Sequence, residues 1–570
     1  MPEFTGTATR RDTGTMPGGR LTAEALKAAG VDTLFTLPGG HVMPLLDSCE
    51  AAGIRVIDTR HEGGASLAAE GWALATGRPG VAAVTAGPGF TNALTGLIDA
   101  GSGNVPIVLI GGRTALGQAG RGAVMDIDQQ AIAAPAVKWS TVCLETSRIP
   151  RYVGEALYRA RAGKPGAVYL EIPQDVIAGA GSAADPTEGF PAEPPKPASP
   201  QGDLEQAVRL LEQAERPIVV AGGGAFWSGA ETELRDFCDR TGIPVTTTSF
   251  ARGLLPDSHP LCLGFLLHGG LAVVSADVVL VLGSAFNANL GYGRPPVLSA
   301  EQKVIQVDLE PGSMGGNRRP DLAIAGDVAL ALRELASLWS APAERHRGWG
   351  MEARGLVDLS WQSWDRQVDG HEGELIHPGA AAREVAAFAR EVAGPTVTLV
   401  ADGGDALTWG LAYLYAEGPG RFLATTTALG TLGVGTPFAL AAAAARPGEP
   451  VLVFTGDGAF GLTAMEIESA ARQGLPMVVV VANNAGWGDV RHEQDIGYQG
   501  HRVACDLGLA RYDLLAQALG GHGEHVTALD QLRPALERSL SSGTAAVINV
   551  ETDPTVLSDL LRMVGQMGLM

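Results

Sequence analysis

The chain has 570 residues, long enough for three or four domains rather than one core. Its 46% hydrophobic and 18% charged residues suit a soluble globular protein, and a formal charge of −21 argues against a nucleic-acid partner, which needs a basic face. No window approaches 18 uninterrupted apolar residues, which predicts no membrane span, and five scattered cysteines read as reduced thiols of a cytoplasmic protein.

In chain order, the polar residues 1–18 read as a disordered tail. Residues 19–184 alternate helix and strand: helix Leu21–Ala29, then strands Asp32–Thr36, Arg55–Thr59, Val81–Thr85, Pro106–Ile110 and Ala167–Ile172. A proline-dense stretch, 185–200, is a linker. A second unit, 201–344, carries strands Pro217–Ala221, Pro244–Thr248, Val278–Leu282 and Lys303–Val307, and the polar, Trp-rich stretch 345–374 reads as a further linker. A third unit, 375–552, carries strands Thr396–Ala401, Val451–Thr455, Met477–Ala482 and Ala546–Val550. The Met-rich end, 553–570, is a tail or a lid over a site, with Leu557, Leu560, Leu561, Met563, Val564 and Met567 on one stripe. Short apolar strands alternating with helices imply an α/β chain of three doubly wound parallel-sheet domains.

Strand Val451–Thr455 runs into Gly456-Asp457-Gly458-Ala459 and a helix, and the next strand delivers Asn483-Asn484-Ala485-Gly486-Trp487-Gly488. A Gly-rich turn at a helix N-terminus offers free N–H groups and a positive dipole end, which suits an anion. Asp457 and Asn484 lie 27 positions apart, one strand–helix–strand unit, so both reach one point above the sheet. Mg2+ wants hard oxygen ligands: the Asp457 carboxylate, the Asn484 amide oxygen and a backbone carbonyl near Gly486 fit that demand.

Gly456-Asp457-Gly458 with Asn483-Asn484 resembles the signature of thiamine-diphosphate enzymes. Thr85-Ala86-Gly87-Pro88-Gly89-Phe90-Thr91-Asn92 and Arg252-Gly253-Leu254-Leu255-Pro256-Asp257 resemble the acetolactate synthase, oxalyl-CoA decarboxylase and 2-hydroxyacyl-CoA lyase branch. The resemblance implies pyrimidine-binding, central and diphosphate-binding domains, bound thiamine diphosphate and Mg2+, and a homodimer or homotetramer with active sites between subunits. It makes Glu62, in Arg60-His61-Glu62, the acid that faces the cofactor's pyrimidine. Pro88 and Asn92 would border that ring. Gly404, Asp405, Ala406 and Leu407 would touch the diphosphate, beside Gly458, Ala459 and Gly488. Gly430 would offer its carbonyl to the amino group, and Leu432 would be the apolar wedge beneath the two rings.

The substrate clue lies after the clamp, in Gly488-Asp489-Val490-Arg491-His492-Glu493-Gln494. Acetolactate synthases typically carry a tryptophan at the position matching Glu493. The glutamate resembles that of actinobacterial-type 2-hydroxyacyl-CoA lyases, such as 2-hydroxyisobutyryl-CoA lyase. The resemblance implies reversible cleavage of a short 2-hydroxyacyl-CoA to a ketone or aldehyde and formyl-CoA, with Glu493 taking and returning the proton. An acetolactate synthase-like carboligase, an oxalyl-CoA decarboxylase and a non-catalytic assembly paralogue are the alternatives. Ile127 and His492 are candidates for limiting acyl size, although loop packing and a surface histidine are the plainer readings. The loop Val124-Met125-Asp126 departs from the family's Phe-Gln-Glu. Arg252, Arg318 and Arg319 are candidates for coenzyme A phosphates, and Asp308 closes a strand where an ADP or other nucleotide could sit in the central domain.

Overall fold

In the computed structural model, residues 14–182 and 189–566 are described, with side chains up to 562. The chain divides into two compact units, one within 1–69 and 79–194, the other within 70–78 and 195–570.

The first unit is built on six parallel strands, in the spatial order Arg55–Asp58, Thr33–Leu37, Gly80–Val84, Ile107–Arg113, Val168–Pro173 and Trp139–Val142. The two central strands Gly80–Val84 and Ile107–Arg113 are almost wholly buried, as expected where helices cover both faces. The strand order reverses between Thr33–Leu37 and Gly80–Val84, so a crevice opens at their carboxyl ends, where such sheets bind ligands. Residues 1–13 of the expected tail lie outside the described residues. The rest of it is structured: Thr15–Pro17 pairs antiparallel with Ala180–Ser182, and helix Gly18–Ala28 begins at once. Gly18 and Gly19, at the start of that helix, are close-approach positions. A β-carbon on Gly19 would sit 2.0 Å from the Pro44 carbonyl oxygen.

The second unit holds two more six-stranded parallel sheets. The first is ordered Cys262–Phe265, Val245–Thr247, Pro217–Ala221, Val278–Leu282, Lys303–Asp308 and Leu322–Ala325, the 3-2-1-4-5-6 order of dinucleotide-binding folds. The other is ordered Phe422–Leu423, Thr398–Ala401, Val451–Gly456, Met477–Asn483, Ala545–Glu551 and His522–Val526. Counted along the chain, its order is 2-1-3-4-6-5, the same as in the first unit.

The expected linker 345–374 is instead mostly one helix, Glu344–Asp369. Trp349, Ala353 and Val357 enter the core beside the Val278–Leu282 sheet, whereas Trp364 and Val368 enter the core beside the Met477–Asn483 sheet. Trp349 donates its indole N–H to the Pro217 carbonyl at 2.8 Å, and Trp364 meets Trp409 edge-to-face at 5.2 Å. The stripe is apolar at helical spacing while its window average is polar, so composition alone reads it as a linker. Arg252 makes the same junction: it is 3% exposed, pairs with Asp257, and donates to the carbonyls of Leu411 and Leu414. Residues 189–200 of the proline-rich linker carry no helix or strand. At the end of the chain, helix Asp559–Gln566 follows Val556, and Val556 and Leu560 pack against the core of the last sheet. The remaining stripe residue Met567 and the side chains of Met563 and Val564 lie outside the described residues.

Candidate active site

In the second unit, Thr398–Ala401 and Val451–Gly456 are neighbours at the point where the last sheet reverses its strand order. Above their carboxyl ends lies a cleft lined by Gly404, Asp405 and Ala406, by Leu432, by Asp457, Gly458 and Ala459, and by Asn484, Gly486 and Gly488. The sequence assigned each of these to the cofactor or the metal, and the fold brings them together. Leu407 does not line the cleft and packs toward the core; Gly430 stands at φ +68° in an open loop.

Asp457 is 2% exposed, and its Oδ2 accepts the Gly486 N–H at 2.9 Å. Burial raises its pKa to about 6. The Asn484 Oδ1 is buried without a hydrogen-bond partner, an arrangement that costs about 1–3 kcal/mol unless something accepts the lone pair. A buried carboxylate and an orphaned amide oxygen fit a hard cation such as Mg2+. Gly458 keeps the cleft open beneath Trp487, whose ring would stand 2.6 Å from an added β-carbon.

Arg491, unassigned in the sequence, holds this loop from behind. Its guanidinium donates to the carbonyls of Asn484 and Ala485 and pairs with Asp506 at 3.0 Å. Ala485, at φ +57°, adopts the left-handed conformation that a non-glycine residue takes only where its surroundings enforce it. Asp402 is the second unassigned residue. It accepts the N–H groups of Gly403, Gly433 and Gly435, and so ties the strand end to the loop that carries Leu432.

Acids run from the cleft lining onto helix Gly488–Gly497. Asp405 is 7% exposed with an unpartnered Oδ1, and burial together with Asp489 raises its pKa to about 8. Asp489 also has an unpartnered Oδ1; burial and then Glu493 raise it to about 6. Glu493 is exposed, one turn further along helix Gly488–Gly497. Its neighbour His492 is not a surface histidine but is 4% exposed. Burial lowers its pKa, and its ring hydrogen-bonds the backbone of Val556.

The first unit holds the other assigned residues. Glu62 is 6% exposed at the start of helix Glu62–Thr76, and the Asn92 amide donates to its Oε2 at 2.9 Å. Pro88 opens helix Pro88–Gly103, and Ile127 is 40% exposed on the loop that follows strand Ile107–Arg113. Glu171 is fully buried against Arg113 and Gln129, and burial lifts its pKa to about 7.

The candidate phosphate-binding arginines are mostly committed elsewhere. Arg252 is spent at the junction described above, and Arg318 donates to the carbonyls of Gly293, Ser299 and Gln302, which leaves Arg319 as the exposed one. Asp308 accepts the Glu310 N–H and caps its own loop. Among the described residues no helix is long and apolar enough to cross a membrane.

Three family descriptions match the chain in order. Residues 16–132 match the N-terminal TPP binding domain of thiamine pyrophosphate enzymes, 204–335 the central domain, and 402–550 the C-terminal TPP binding domain. The acetolactate synthase large subunit IlvG of Mycobacterium tuberculosis is 36% identical over 95% of this chain and 97% of its own length. The acetolactate synthase isozyme 2 large subunit of Escherichia coli is 31% identical over 94% and 96%. The 2-hydroxyacyl-CoA lyase of Oryza sativa subsp. japonica is 34% identical over 96% and 97%.

Proposed function

Since the chain belongs to the thiamine pyrophosphate enzyme family, we propose that it is a lyase cleaving a short 2-hydroxyacyl-CoA, such as 2-hydroxyisobutyryl-CoA, to a ketone or aldehyde and formyl-CoA. The observation that carries this reading is Glu493 on helix Gly488–Gly497, one turn beyond Asp489, whose carboxylate stands against Gly404 of the cleft. A 2-keto acid brings its own carboxylate to the reacting carbon, where these acids offer it no cationic partner. A thioester carbonyl is neutral there.

Asp457, Asn484 and the Gly486 carbonyl would hold Mg2+, and the N–H groups around Gly404, Gly458 and Gly488 would hold the diphosphate. Thiamine diphosphate, when bound, supplies the electron sink for making and breaking bonds beside a carbonyl. Glu62 holds the proton that the pyrimidine ring needs. Glu493 takes the proton of the 2-hydroxyl as the C1–C2 bond opens and later returns one, so the reaction runs both ways. The subunits are proposed to pair with active sites between them. Leu462, Met465, Val490, Ile496, Leu507 and Leu509 of the second unit are exposed apolar side chains, a residue type that pairing of subunits would cover.

The second reading is an acetolactate synthase-like carboligase, and the M. tuberculosis and E. coli relatives favour it. Supplying 2-hydroxyisobutyryl-CoA, pyruvate and oxalyl-CoA separately distinguishes the readings. Formyl-CoA and acetone from the first support the lyase; acetolactate from pyruvate alone replaces it with the carboligase, and turnover of oxalyl-CoA alone with a decarboxylase.

A further inference from the structure

We propose that Gln129 is a positioning residue for Glu62, acting through the backbone of Gly87. This rests on Glu62 being the acid that activates the cofactor.

Glutamine is mostly a surface residue, yet the Gln129 side chain is fully buried at the start of helix Gln129–Ala133. Its Oε1 accepts the Gly87 N–H at 2.7 Å. An N–H can only donate, so this contact fixes which end of the amide is oxygen. The amide nitrogen then faces three oxygens: the Gly112 carbonyl at 2.8 Å, the Tyr169 hydroxyl at 2.8 Å and Glu171 Oε1 at 2.7 Å. Two hydrogens serve three acceptors, so the group cannot turn without leaving buried oxygens unpaired.

Gly87 needs such a hold. Its φ of +60° with ψ of −115° suits glycine alone, and it precedes helix Pro88–Gly103 with no side-chain cap of its own. Met125 presses on its other side, 2.9 Å from where a β-carbon would stand. The first turn of that helix is what the Glu62 carboxyl faces. A β-carbon on Gly89 would lie 3.4 Å from Glu62 Oε1, and Asn92 holds Oε2. A turn of the Gly87 peptide therefore moves the Asn92 partner of Oε2 and the Gly89 backbone that stands beside Oε1. A residue that only filled space would not need an amide here, because burying one is unfavourable unless it is hydrogen-bonded.

The test uses the holoenzyme with Gln129→Met, which keeps the volume and loses the hydrogen bonds, and Gln129→Glu, which keeps an oxygen for the Gly87 N–H. The readouts are solvent-deuterium exchange at C2 of the bound thiazolium, kcat and KM, cofactor affinity and Tm. Gln129→Met is expected to slow exchange and kcat by about 100-fold at unchanged KM, the scale of a small misplacement of a catalytic group. Gln129→Glu is expected to recover about tenfold of that loss, since one of the hydrogen bonds returns. Wild-type exchange in Gln129→Met overturns the proposal, and so does a Gln129→Glu as slow as Gln129→Met. Should Gln129→Met fail to fold, Gln129→Asn, one methylene short of Gly87, replaces it: slow exchange at native Tm supports the role, and wild-type exchange overturns it. Glu62→Gln is the control. Wild-type exchange there overturns the assignment of Glu62, separately from that of Gln129.

Discussion

The carboxylate of Asp489 occupies the space that a side chain on Gly404 would need: a β-carbon built there stands 2.0 Å from Asp489 Oδ2. Glycine at 404 thus lets an acid reach the cleft of the last sheet from the helix that also carries Glu493. Gly404→Ala must push Asp489 aside. We expect kcat to fall by about 10–100-fold with Tm nearly unchanged, the mark of a displaced group rather than a broken core. Steady-state kinetics with a thermal melt decide this, and wild-type kcat would show that Asp489 has no part.

Stability of the cofactor-free protein should depend on pH through the same acids. Asp405, whose unfolded value is 3.8, is raised to about 8, and Asp489 and Asp457 to about 6. The folded chain therefore keeps protons that the unfolded chain releases, so stability declines as pH rises from about 4 to 8 and is then level with respect to Asp405. Asp405→Asn should remove its share, raising Tm at pH 8 by roughly 2–4 °C and by less toward pH 4. Melts across that range in the presence of a chelator measure it; a Tm difference that does not vary with pH contradicts the assignment.

Metal retention separates the groups that would bind the ion from those that hold its loop. Asp457→Asn should weaken Mg2+-dependent cofactor binding by more than about 100-fold, whereas Arg491→Met should cost about 10–100-fold, the range of outer-shell partners. Calorimetric titration at fixed Mg2+ reads both, and equal losses would make Arg491 more than a support.

The helix Glu344–Asp369 should behave as a structural bolt. Trp364→Ala empties a site in the core beside Trp409 and should destabilise by about 3–5 kcal/mol. Denaturant titration tests this; a cost under about 1 kcal/mol would fit a surface residue instead.

The central strands were legible because apolar runs such as Val278–Leu282 are buried on both faces and need no context. The strands of the six-stranded sheets that were missed, Trp139–Val142, Cys262–Phe265, Leu322–Ala325, Phe422–Leu423 and His522–Val526, lie at sheet edges, where short or polar segments suffice. His522-Gly523-Glu524-His525 has no apolar signature at all. The clamp was legible because its residues sit at fixed offsets from two strong strands. Arg491, Asp402 and Gln129 were not, because their work is hydrogen bonding to backbone groups that no side-chain pattern marks. The helix at 344–369 hid its stripe within a polar average. Arg252 was not legible either, because it fastens the two sheets of the second unit through the carbonyls of Leu411 and Leu414.

Glu493 is proposed to move the proton of a 2-hydroxyacyl thioester. The most direct measurement is formation of formyl-CoA and acetone from 2-hydroxyisobutyryl-CoA by the wild-type protein and by Glu493→Gln, with bound cofactor quantified in both. The claim predicts turnover by the wild type and a loss of about 100-fold or more in the variant at full cofactor occupancy, the scale of a lost general acid–base. Equal turnover by the two proteins would contradict it, as would a wild type that leaves the thioester untouched while converting pyruvate to acetolactate.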